Sequence, residues 1–212
     1  ESLVRTLIKS GVDICFTNPG TSEMHFVAAL DRFDDMRCVL GLFEGVVTGM
    51  ADGYGRMADK PASTLLHLGP GLGNGIANLH NAKKANTPIV NIVGDHATYH
   101  IEHDAPLTSN VEGIATPVSS WVKTSQTAKD VALDGAEAVA QARMGAGRIS
   151  TLILPANTAW EAAEAEADPI WIPDRANVSS VVIRKIAEVL KSGGETLIHM
   201  TGRALRKDTL EM

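Results

Sequence analysis

Pro88-Ile89-Val90-Asn91-Ile92-Val93 is an apolar run of strand length with almost no polar alternation, and such a run needs cover on both faces. Other strand-length runs occur at 12–16, 37–40, 63–68, 121–124 and 151–154. Helix-length segments separate them, with helices expected from near Glu23 and over 44–58, 74–86 and 131–144. The opening stretch Leu3, Val4, Leu7, Ile8 is amphipathic and stops at Gly11, a residue that reaches positive φ cheaply at a helix end. Strands alternating with helices imply βαβ crossovers. The expected fold is therefore α/β: a doubly wound, mostly parallel sheet flanked by helices.

The pattern changes after residue 155. Residues 156–177 carry Pro169 and Pro173 in an acidic, Ala-rich run and read as a linker region. A helix over 178–190, Gly193-Gly194 and a strand over 196–200 then open a second α/β domain. The expected division is 1–165, a linker over 166–177, and an incomplete second domain over 178–212. The chain begins at Glu1 rather than Met and is expected to be a piece of something longer.

Composition limits the partners. A chain with 44% hydrophobic residues and 21% charged can bury a sizeable core, and 4% aromatics with 19 glycines suits helices packed on a sheet. The net charge of -6, with basic clusters only at Lys83-Lys84 and 203–207, argues against duplex nucleic acid. No apolar run reaches the roughly 18 residues of a membrane span, and no signal-peptide pattern precedes the first helix. Cys15 and Cys38 sit in apolar runs, where two buried thiols are expected rather than a disulfide. A cytoplasmic protein is expected.

Three constellations carry chemistry. Glu44 lies among Leu42, Phe43, Val46 and Val47 at a strand-to-helix junction. Burial would favour its neutral form, whereas a helix amino end favours the carboxylate, and a group between these influences suits proton exchange with a ring nitrogen. The alternative is a first-turn acid that only satisfies the helix dipole. Gly69-Pro70-Gly71-Leu72-Gly73-Asn74-Gly75 is expected to form a loop whose backbone approaches a flat or anionic ligand. It is no dinucleotide fingerprint, because Asn74 takes the third glycine position, and no Lys-Ser/Thr follows as in a nucleotide phosphate loop. Asn18-Pro19-Gly20-Thr21 is a turn after the first strand. All three constellations follow strands, so a doubly wound sheet brings them to one edge.

In order and spacing, Asn18-Pro19-Gly20, Glu44, Ala51-Asp52-Gly53-Tyr54-Gly55-Arg56 and Gly69-Pro70-Gly71-Leu72-Gly73-Asn74 resemble the N-terminal domain of thiamine-diphosphate-dependent 2-oxo-acid enzymes. This is the group of acetolactate synthase and benzoylformate decarboxylase. The resemblance covers 2–155, and the segment after Asn177 is similar to the start of the family's middle domain. It implies that Glu44 matches the glutamate that hydrogen-bonds the aminopyrimidine and promotes the imino tautomer that activates the thiazolium carbon. The cofactor supplies the electron sink and the protein supplies geometry and proton control. Pro19, Gly20, Gly71 and Asn74 fall on positions of the pyrimidine pocket. His67 falls where benzoylformate decarboxylases carry an active-site histidine, and Thr21 where they place a substrate-contacting serine. Otherwise His67 is a strand-end residue bonded to backbone. Leu107, on the substrate side, looks more like benzoylformate decarboxylase than like the Phe-Gln pair of acetolactate synthases.

The same resemblance implies a 2-oxo-acid substrate, decarboxylated with or without carboligation, and a homodimer or homotetramer whose site forms between copies of the chain. Mg²⁺ would be held by a Gly-Asp-Gly…Asn motif of a C-terminal domain, which does not occur here. FAD is left open. His96, His100 and His103 suit a solvated loop, and no metal ligand is assigned to them. The chain alone is expected to be inactive. A subunit needing a separate diphosphate-binding chain, and a non-catalytic module that keeps the fold, are the alternatives.

Overall fold

In the computed structural model, β1 (Ile14–Asn18), β2 (Arg37–Leu40), β3 (Ala62–Leu66), β4 (Ile89–Asp95), β5 (Trp121–Thr124) and β6 (Ile149–Pro155) pair in parallel throughout. Their order is β2-β1-β3-β4-β6-β5. The structure describes residues 1–174 and 177–211, with Arg203 by its backbone alone. Arg175 and Ala176, which the sequence assigns to the linker, and Met212, assigned to the second domain, lie outside the described residues.

α1 (Ser2–Lys9) precedes β1, the strands are joined through α2 (Met24–Leu30), α3 (Glu44–Ala58), α4 (Leu68–Ala85), α5 (Val111–Ala115) and α6 (Val131–Arg143), and α7 (Ala156–Trp160) follows β6. The β4 run is covered on both faces, as its composition demands. Val90 and Ile92 pack with Leu3, Leu7, Phe26 and Val139 from α1, α2 and α6. Ile89 and Val93 pack with Val47, Leu72, Leu79 and Ala115 from α3, α4 and α5. The exception in the run, Asn91, is fully buried and paired on both sides. It accepts from Thr64 Oγ1 (2.9 Å) and donates to Thr151 Oγ1 (3.1 Å), which in turn meets Ser119 Oγ (2.7 Å). A buried polar group held this way adds cross-strand specificity instead of a desolvation cost.

Four details depart from the sequence expectation. The glycine-rich segment is not a loop: α4 begins at Leu68 and runs through it. Pro70 is tolerated because it lies in the first turn, where its missing N–H has no helical acceptor. Cys15 is buried but Cys38 is exposed, because β2 is an edge strand covered on one side only. Residues 156–160, the start of the acidic, Ala-rich run that reads as a linker region, form α7, with Ala156, Asn157 and Thr158 buried. Residues 196–200 form no strand. An extended segment needs a neighbour to satisfy its backbone, and no other strand lies in that part of the chain among the described residues.

The chain divides into two units, Glu1–Ile172 and Pro173–Met212. The first includes much of the expected linker, where Ala167 N donates to Thr6 Oγ1 (3.0 Å) and Asp168 pairs with Lys9 (2.8 Å). The second contains α8 (Ser180–Lys191), capped by the Ser179 hydroxyl accepting from Val182 N (3.3 Å), a 3-10 turn at Gly202–Leu205 and α9 (Lys207–Leu210). Among the described residues no helix is long and apolar enough to cross a membrane.

Burial pushes the Cys15 thiol up to about 12 and removes it from solvent. A disulfide reagent at pH 8 should therefore titrate one thiol per native chain and the second only after denaturation. Two equivalents in the native chain would contradict this packing.

Candidate functional site

Three neighbouring strand ends deliver the candidate residues to one edge. Asn18 closes β1, and its side chain donates to the Gly41 carbonyl (2.8 Å), tying the Pro19-Gly20 turn to the turn before Glu44. Glu44 opens α3 after an extended Phe43. His67 follows β3 as the N-cap of α4. Because β1 lies between β2 and β3, the chain leaves β1 at the point where the winding direction reverses. In doubly wound sheets that crevice, at the carboxyl ends of the strands, is where ligands bind.

Glu44 is half-buried and accepts a hydrogen bond from Asn74 Nδ2 at Oε2 (3.0 Å). Gly71 lies between the candidate side chains. A Cβ there would stand 3.3 Å from Glu44 Oε1 and 3.4 Å from the His67 Cβ. The spacing is set by close contact of α3 with α4. Thr48 Oγ1 donates to the Gly75 carbonyl (3.1 Å), and its methyl would meet a Gly75 Cβ at 2.8 Å. Asn78 Nδ2 donates to the Gly45 carbonyl (2.6 Å). Gly71 and Gly75 thus serve the approach of α3. The apolar neighbours of Glu44 do not enclose it: Leu42 is 90% exposed, and Phe43 and Val46 are about half exposed, forming an apolar rim.

His67 is held by two contacts. Its Nδ1 lies 2.8 Å from Glu23 Oε2, and a Cβ at Gly20 would fall 2.3 Å from the same nitrogen, so the ring packs directly on Gly20. Glu23 closes a 3-10 turn (Thr21–Glu23) and is only 2% exposed. Burial pushes its carboxyl above the usual carboxylate range, opposed by the Gly20 N–H and by His67. Next to His67, the buried Leu68 has φ +51, a conformation costing roughly 1–3 kcal/mol in a non-glycine residue and found most often at functional sites.

The sequence candidates therefore fall into groups. Gly20 and His67 meet at Glu23, and Gly71 lies between His67 and Glu44, which also meets Asn74. Pro19 is half-buried in the connecting turn. Thr21 instead lines a concavity of ≈ 320 Å³ with Ser22, His96, Tyr99, His100 and Trp160. Leu107 is exposed in the loop after β4, where its carbonyl accepts from Ser109 Oγ (3.1 Å). In that loop the His96, His100 and His103 rings step along at centroid distances of 5.4 and 5.5 Å. Among the described residues no three His, Cys, Asp or Glu side chains are arranged to hold a metal ion.

Glu23 was not singled out from the sequence. The signal was present: an acid three residues after Gly20, the spacing at which a first-turn carboxylate reaches back to a backbone N–H. That bond is formed, Gly20 N to Glu23 Oε2 at 2.7 Å. Conversely, Ala51-Asp52-Gly53-Tyr54-Gly55-Arg56 is scaffold. Tyr54 OH donates to Asp13 (2.7 Å), and Thr87 and Arg56 both bond Asp52 (2.6–2.8 Å), fastening α3 to the strand ends opposite the site.

Residues 1–114 match the family described as thiamine pyrophosphate enzyme, N-terminal TPP binding domain. IlvX of Mycobacterium tuberculosis, named after the acetolactate synthase large subunit, is 52% identical over 207 residues, covering 97% of this chain and 39% of that protein. Benzoylformate decarboxylase of Pseudomonas aeruginosa is 36% identical over 126 residues, covering 59% of this chain and 24% of that one. Among solved structures, the thiamine diphosphate-dependent 4-hydroxybenzoylformate decarboxylase of Rhodococcus jostii RHA1 superposes with a TM-score of 0.81 at 27% identity, over 90% of this chain and 37% of that chain. The chain thus spans well under half the length of these relatives.

The packing around His67 can be tested by adding one methyl. Gly20→Ala should lower unfolding free energy by about 1–3 kcal/mol through overpacking against the ring. Gly73→Ala, with nothing within 4 Å of its Cβ, should be neutral or stabilising. Urea denaturation of both variants measures the contrast, and equal stability would refute the contact.

Proposed function

The chain belongs to the thiamine pyrophosphate enzymes, whose N-terminal TPP binding domain it carries, and from that premise we propose that Glu44 holds the aminopyrimidine of thiamine diphosphate. The supporting observation is the carboxylate at the β2 exit. Asn74 fixes Glu44 Oε2, while Oε1 faces the Cβ-free surface of Gly71 without a hydrogen bond from the described residues. A flat heteroaromatic ring fits such a place, because one oxygen is available to a ring nitrogen and a bare glycine leaves room for the ring face. Glu44 accepts or gives the proton at that oxygen, with its position set by Asn74 and by the α3–α4 contact. Pro19, Gly20, Gly71 and Asn74 form the wall. When bound, thiamine diphosphate supplies the nucleophilic carbon and electron sink for cleaving the carboxylate of a 2-oxo acid.

The activity proposed for the whole enzyme is decarboxylation of a 2-oxo acid with or without carboligation, similar to acetolactate synthase. A second reading, a non-ligating decarboxylase of the benzoylformate type, draws on His67 beside Gly71 and on Thr21 and Leu107 as substrate-side residues. Under either reading Mg²⁺ and the diphosphate are held by residues outside this chain. The exposed apolar rim of Leu42, Phe43 and Val46 beside Glu44 is suited to burial against a second copy of the chain, as a homodimer or homotetramer requires. The division into 1–165, a linker over 166–177 and a middle domain over 178–212 belongs to the same proposal, as does a cytoplasmic location.

Glu44→Gln in the full-length enzyme should lower kcat by about 10²–10⁴-fold, the usual range for a proton-transfer group. Unchanged turnover would remove Glu44 from the mechanism. The 212-residue chain alone should release no carbon dioxide from pyruvate or benzoylformate in a coupled assay. Turnover by a pure sample would overturn the assignment of a half-site.

A further inference from the structure

We propose that Glu23 is a positioning residue for His67. It fixes the imidazole with Nδ1 turned into the protein, so that Nε2 is the nitrogen presented at the carboxyl edge of the sheet. Three elements converge on the carboxyl group. Oε2 accepts the Gly20 N–H (2.7 Å) from the turn after β1 and faces His67 Nδ1 (2.8 Å) at the start of α4. Oε1 occupies the space above Gly94 in β4, where a Cβ would lie 1.6 Å away, and has no hydrogen-bond partner among the described residues. The ring also packs on Gly20, where a Cβ would fall 2.3 Å from Nδ1.

A capping role alone accounts for the bond to Gly20 and for nothing else. A cap is satisfied as well at the surface, in water. Here the Glu23 side chain is 1% exposed, and burying a carboxylate is costly unless it is paired. His67, with a side chain 21% exposed, is the paired group. As an ionised carboxylate, Glu23 has no proton to give at Oε2, so the neutral imidazole places its one proton on Nδ1. Nε2 then carries the lone pair and acts as a base. When the ring takes a second proton, the carboxylate balances its charge and Nε2–H becomes the acid. That Nε2 meets the carboxyl or carbonyl group of a 2-oxo acid rests on the function proposed above. The orientation of the ring does not.

The test reads the ring directly, in the 212-residue chain with ¹⁵N-labelled histidine, the His67 signals being assigned by their loss in His67→Gln. Spectra are followed up the pH scale until the ring is neutral. Unmodified protein should show a protonated Nδ1 and a bare Nε2, the reverse of a free imidazole. Glu23→Gln, which keeps an acceptor oxygen, should retain this pattern. Glu23→Leu, and Gly94→Ala, which leaves no room for the carboxyl group, should exchange the two nitrogen signals. A bare Nδ1 in the unmodified chain would overturn the proposal without any variant. So would a protonated Nδ1 retained in Glu23→Leu. Neither outcome depends on thiamine diphosphate or on turnover, so this proposal and the proposed function fail separately.

Discussion

The contact between α3 and α4 sets the geometry of everything at the candidate site. Gly75 lets the Thr48 methyl approach its backbone, Thr48 donates to the Gly75 carbonyl, and Asn78 spans to the Gly45 carbonyl. With these bonds in place, the first turns of the two helices lie side by side. Glu44 then stands beside Gly71 and Asn74 without any flexible loop to position it. Side chains held on rigid elements keep their geometry better than side chains on loops. A larger residue at Gly75 would move the Glu44 carboxylate away from the wall it shares with Gly71.

The winding of the sheet then brings a second carboxylate to the same edge in a different environment. Glu44 sits half-exposed on the outer side of β1, beside an apolar rim. Glu23 is buried on the inner side, under His67 and against Gly94. Pairs of titratable groups whose surroundings differ this much commonly divide the tasks of a site between them. Here the exposed acid is available to a ligand, and the buried one to a neighbouring side chain.

Much of this was legible in the sequence. The continuous apolar run at β4 and the alternation of strand and helix lengths gave the architecture, and the bounds of α3 and β5 could be read directly. The glycine-rich segment reads as a loop because glycine and proline normally interrupt helices. Gly71 and Gly75 stand in the helix because α3 must come close, a tertiary demand that outweighs local propensity. Cys38 was misplaced because an apolar run does not reveal whether its strand lies at an edge. The partnership of Glu23 with His67 joins residues 44 positions apart, and only the pairing of β1 with β3 brings them together. For the candidate site, Glu44, Gly71 and Asn74 were all named from the sequence and lie together, whereas Thr21 and Leu107 line other surfaces.

The most direct test is the structure of the full-length enzyme with thiamine diphosphate bound. The account requires a pyrimidine ring nitrogen within hydrogen-bonding distance of Glu44 Oε1, with the ring lying against Gly71. A pyrimidine held elsewhere, with Glu44 still bonded only to Asn74, would contradict it.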